Sequence, residues 1–144
     1  MKRAQKDKRQ GKVASTQAGE FVREEIDHVR EGKHGARSAK QAIAIGLSKA
    51  RRAGVKLPPP KNGSKATKKK AAQDSAKGRK APATKHVSSK RSRATLKALK
   101  REGHSAGSKK ALARQTKRAA SKRTAADRSR AAKKAAKTRA HEKG

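Results

Sequence analysis

Residues 16–57 read TQAGEFVREEIDHVREGKHGARSAKQAIAIGLSKARRAGVKL, and the fold turns on this stretch. Val22, Ile26 and Val29 recur at i, i+4, i+7, and Ile43, Leu47 and Ala50 repeat that spacing, so each set forms one apolar face of a helix. Thr16 is placed to cap the first helix, Glu20, Glu24 and Glu25 suit its positive N-terminal end, and Gly32 stands where a left-handed stop residue belongs. Ser38 followed by Gln41 has capping-box spacing for a second helix, which Gly54 ends before Pro58. The spacing therefore predicts a helical hairpin, antiparallel or steeply crossed, with Phe21, Val22, Ile26, Val29, Ile43 and Leu47 inside and Val55 beside them. A pair this small is marginal, so support from a homodimer, a protein partner or a third helix is expected through residues 16–57.

Outward from the hairpin the chain becomes strongly basic. The 144 residues hold 44 Lys and Arg against 10 Asp and Glu, a net charge of +34. By segment the net charge is +5 over residues 1–15, +4 over 16–57 and +25 over 58–144. Besides 29 alanines there are only 15 apolar side chains, too few for one core spanning the chain. High charge with low hydrophobicity predicts a mostly disordered, otherwise all-α protein. Its expected parts are a basic N-terminal arm (1–15), the two-helix module (16–57), a disordered linker holding all four prolines (58–86) and a basic, conditionally helical tail (87–144). With no cysteine there is no disulfide, thiolate metal site or Cys nucleophile, and no apolar run approaches a membrane span. A cytoplasmic, nucleoid-located protein with no membrane partner is expected.

Residues 108–140 contain 11 Ala and 13 Lys or Arg with one acid, Asp127. Ala, Lys and Arg favour helix, yet Lys110, Arg114, Arg118 and Lys122 stack like charges at i, i+4. Phosphates relieve that repulsion and release counterions, so folding and binding should be coupled. The expected nucleic-acid contacts are Lys109, Lys110, Arg114, Lys117, Arg118, Lys122, Arg123, Arg128, Arg130, Lys133, Lys134, Lys137 and Arg139. Phe21 is the one aromatic residue of the Phe, Tyr and Trp class, so base stacking is disfavoured and duplex backbone contact is the better reading. Non-sequence-specific binding and compaction of double-stranded DNA follows, with RNA or ribosome association, or an interaction module tethered to DNA by its tail, as alternatives. An AT-hook at Lys77-Gly78-Arg79-Lys80-Ala81-Pro82 and a helix-turn-helix reader in residues 16–57 are both weakly supported. A faint internal echo relates Arg30-Glu31-Gly32 and the residues from Ser38 to Arg101-Glu102-Gly103 and the residues from Ser108.

Five of the ten acids fall in the first hairpin helix, where Glu20, Glu24, Asp27 and Glu31 present a candidate face for a basic partner or for the chain's own tail. Helix-dipole complementarity and pairing of Asp27 with Arg23 and Arg30 account for them more simply. His28 lies near Glu24 and Glu31, but the histidines at 34, 86, 104 and 141 are scattered, and no complete metal-ligand set at diagnostic spacing is legible. No cofactor is expected. Neither a paired base nor a Gly-rich phosphate loop accompanies the Ser and Thr residues, so catalysis is not expected.

The stretch from Ser15 through Ile26, then Glu31 to Ser38 and Gln41 to Gly54, resembles a bacterial domain family of unknown function found in small basic proteins with Lys/Ala-rich tails. Residues 93–103 are similar in kind to those tails, and the tail's composition also resembles linker-histone tails and bacterial histone-like proteins. The resemblance implies a bacterial, cytoplasmic protein and carries no activity across.

Overall fold

The computed structural model describes residues 2–79 and 88–141. Among them it forms seven α-helices and no strand, as an all-α chain should. The helices are α1 (Lys2–Arg9), α2 (Ala14–Arg30), α3 (Ala39–Arg52), α4 (Lys65–Arg79), α5 (Ser89–Lys100), α6 (Lys109–Ser121) and α7 (Ala125–His141), with a 3-10 turn at Ser105–Gly107. They divide into two compact units, Met1–Ser108 and Lys109–Gly144.

Helices α2 and α3 pack together as a pair. Gly32 and Gly54, both at positive φ, close its two helices, and Ser38 Oγ accepts from the Gln41 backbone N–H at 3.2 Å to start α3. The first helix begins earlier than the Thr16 cap suggested: α2 starts at Ala14, after an extended Val13. The packed faces are also rotated from the expected stripes. Buried positions are Ala18, Phe21, Glu25 and Val29 on α2, and Ala39, Ala42, Gly46 and Ala50 on α3. Val22, Ile26, Ile43 and Leu47 are only half-buried and flank the seam. The cause is close approach of the helix backbones: a Cβ on Gly46 would lie 2.6 Å from Val22 Cα, so small residues take the contact and larger ones cover its sides.

Support for the hairpin comes from the same chain. The segment expected as a basic arm contains α1, whose Ala4 joins Ala18, Phe21, Ala50 and Val55 in one buried cluster. Where a disordered linker was expected, residues 65–79 form α4, which packs on α3 through Ala71 and Asp74. Ser64 Oγ accepts from the Thr67 backbone N–H at 3.2 Å to cap α4, and Ser48 Oγ of α3 donates to Asp74 Oδ2 at 2.7 Å. Residues 80–86 of that expected linker, with part of the AT-hook candidate and His86, lie outside the described residues. At the other end of the hairpin, the Gly35 N–H donates to Leu99 O (2.9 Å) and the Ala36 N–H to Gly103 O (3.1 Å). Arg30 Nε donates to Gly107 O at 2.7 Å, and Ala106 completes a second cluster with Val29, Ala36 and Ala42. The end of α5 and the 3-10 turn thus belong with the hairpin and not with a separate tail.

Candidate functional site

All thirteen basic residues expected to meet phosphate are exposed. At 3.6 residues per turn, Lys110, Arg114, Lys117 and Arg118 share one face of α6. On α7, Arg130, Lys133, Lys134 and Lys137 share a face, and Arg128 and Arg139 fall on the opposite side. Lys109 sits at the start of α6, and Lys122 and Arg123 lie in the connection to α7. Thr124 Oγ1 accepts from the Asp127 N–H at 3.1 Å to open α7, and Asp127 Oδ1 pairs with Arg130 Nη2 at 2.7 Å, so one cation of that face is internally neutralised. Sequence reasoning missed a further stripe: Lys90, Arg93, Lys97 and Lys100 lie on one exposed face of α5. Its i, i+3, i+7 spacing was readable. Phe21 is 5% exposed, so no Phe, Tyr or Trp ring faces solvent.

The acidic residues singled out on α2, Glu20, Glu24, Asp27 and Glu31, line a groove of about 400 Å³ together with Arg3, Arg23, His28 and Lys33. The groove is mixed in sign: Asp27 pairs with Arg30 at 3.4 Å and Glu31 with Lys33 at 2.8 Å. The Lys33 hydrogen bond, reinforced by the Lys33 charge, holds the Glu31 carboxyl below its usual range; slight desolvation opposes this and His28 adds a smaller lowering.

Beneath the groove lies a polar cluster that the sequence did not disclose. Glu25, 1% exposed, is ion-paired through Oε2 with Lys49 of α3. Its Oε1 stands 3.1 Å from His34 Nε2 in the α2–α3 turn and receives no hydrogen bond. His34 is 8% exposed, and its Nδ1 lies 3.1 Å from Gly35 O. His28, on the same face of α2 as Glu25, meets the His34 ring edge-to-face at a centroid distance of 6.1 Å. Glu25, not Glu24, is therefore the carboxylate facing the histidines, and the ligand atoms of Glu25, His28 and His34 lie within 4.8 Å of one another. Glu25 was read as one of several N-terminal acids suiting the dipole. Only the turn that returns His34 to α2, and the packing of α3 that brings Lys49, gives it partners.

No described helix is long and apolar enough to cross a membrane. No curated protein and no solved structure matches the chain. Residues 7–61, which include the Glu25 cluster and exclude α4 to α7, are similar to a family described as a family of unknown function (DUF6496).

Proposed function

We propose that the chain binds double-stranded DNA without sequence preference and compacts it, as a histone-like, nucleoid-associated protein. The observation that carries this reading is the set of exposed cationic stripes on α5, α6 and α7, in a segment with very little acid to neutralise them. Helical stripes of Lys and Arg track phosphates, and the released counterions drive affinity irrespective of base sequence. Burial of Phe21 removes the ring on which single strands would stack, which favours duplex over single-stranded ligands. Several helices carrying separate stripes can engage neighbouring duplex segments, and that bridging is the basis for compaction.

The test is affinity for matched B-form DNA and A-form RNA duplexes as a function of salt, followed beside the far-ultraviolet helix signal. A steep salt slope, preference for DNA and helix content rising on binding are expected. Preference for RNA would move the assignment to an RNA-associated protein. A shallow slope for both would remove the tail helices as the binding element.

A further inference from the structure

Glu25 and His28 are one turn apart on α2, so their side chains leave the same face of the helix, and the turn returns His34 to that face. Their ligand atoms lie within 4.8 Å of one another. Bonds of 2.0–2.2 Å around a tetrahedral zinc ion place ligand atoms roughly 3.4 Å apart, within reach of small side-chain adjustments.

The hydrogen-bond polarity is more telling than the distances. A carbonyl oxygen only accepts, so the tautomer with its proton on Nδ1 is the one that donates to Gly35 O at 3.1 Å. Nε2 then faces the Glu25 Oε1 at 3.1 Å. On a singly protonated ring this sets a lone pair against a buried carboxylate oxygen that no donor reaches. The opposite tautomer donates from Nε2 to Oε1 but sets the Nδ1 lone pair against Gly35 O, so a metal ion on Nε2, with the ring proton kept on Nδ1, satisfies both contacts. A histidine held at its remote nitrogen by a backbone carbonyl is the usual outer-shell arrangement of a metal-ligating imidazole. Lys49 on Oε2 orients the carboxylate and leaves Oε1 for the ion.

We infer that Glu25, His28 and His34 bind one divalent transition-metal ion of the zinc class, clamping the α2–α3 turn onto α2. Two imidazoles and a carboxylate select zinc-like ions over magnesium or calcium. His28, half-buried at the groove, provides the entry side, and a fourth position is left to water. Metal ligands must be deprotonated at the ligating atom, so affinity falls with acid.

The experiment uses the full chain, stripped with chelator and free of DNA, titrated with zinc chloride at pH near 7.5 by calorimetry and thermal melting, with magnesium chloride in parallel. The expected result is one zinc per chain with a raised melting temperature, and no response to magnesium. His28→Ala, at the rim, should keep the far-ultraviolet helix signal and weaken zinc binding by at least about tenfold, since loss of outer-shell partners alone costs 10- to 100-fold. His141→Ala on α7 should change nothing. Nitrogen-15 spectra of wild-type protein give a readout independent of any variant: on adding zinc, the His34 Nε2 resonance moves to a metal-bound position while the His141 ring is unaffected. The inference is overturned by no stoichiometric uptake, by uptake undiminished in His28→Ala, or by a His34 Nε2 resonance that zinc leaves unmoved.

Discussion

Replacing Lys133 and Lys137 with Gln removes two cations from the shared face of α7, and replacing Arg128 and Arg139 with Gln removes two from the opposite side. The net charge changes equally, and Gln is nearly as good a helix former as Lys or Arg, so geometry is the main difference between the variants. Each phosphate neutralised on B-form DNA contributes about 0.9 to the slope of log affinity against log salt, so the on-face pair should reduce its steepness by about 1.8. Across a fourfold rise in salt, that variant should lose about 12-fold less affinity than the wild type. The off-face pair should alter the slope by less than about 0.5, because those guanidinium groups cannot reach the same duplex while the helix lies along it. Fluorescence anisotropy of a labelled duplex between roughly 50 and 300 mM salt measures both slopes. If the tail bound as an unstructured polycation, every Lys and Arg would count alike and the two pairs would be indistinguishable. Equal slope changes would therefore refute the role assigned to the helical stripe.

Lys49→Met strips Glu25 of its ammonium partner; orphaning a buried charge costs about 3–5 kcal/mol, and with the Lys49 side chain 37% exposed, solvent screening brings the expected loss to about 2–3 kcal/mol. Urea unfolding in chelator should show that loss, with partial recovery in the Glu25→Gln, Lys49→Met double variant, whereas a change under about 0.5 kcal/mol would mean that the pair is not buried as described. Gly46→Ala should destabilise by about 1–2 kcal/mol despite the better helix propensity of Ala, because the Cβ meets the Val22 backbone at 2.6 Å, where nothing can rotate away. Gly19→Ala, in the same hairpin with open space around it, should stabilise by about 0.5–1 kcal/mol, and thermal melts of the two glycine variants should move in opposite directions. Lys33→Ala should raise the Glu31 titration point toward the ordinary carboxylate range, read by carboxyl carbon NMR. Because the Glu31 carboxyl is depressed in the folded state, its stabilising contribution is present above the unfolded pKa and is lost as pH falls through the folded one; the variant should lack that acid-side loss.

Helices α2 and α3 were legible because their signals are local. Gly32, Ser38 and Gly54 act on neighbouring backbone groups, and charge summed by segment identifies the Lys/Arg-rich helices without tertiary information. The stripes on α6 and α7 follow from helical period alone. Helix α4 was obscured because prolines at 58–60 and the Lys-rich composition read as linker, although Ser64 and Thr67 mark its start and Asp74 stands out among cations. Its reason for forming is a neighbour, the Ser48 hydroxyl of α3, that no local pattern announces.

The sequence by itself determined an all-α chain, the glycine stops of α2 and α3, and where the runs of positive charge fall, since propensity, capping and charge act within a few residues. Tertiary structure alone decided which face of each helix is packed: Gly46 lets the backbones close until Ala and Gly, not Ile and Leu, fill the seam. It also decided that Glu25 is a buried acid facing two histidines and a lysine and not one more surface charge on a helix, because His34 and Lys49 reach it only through a turn and a helix crossing.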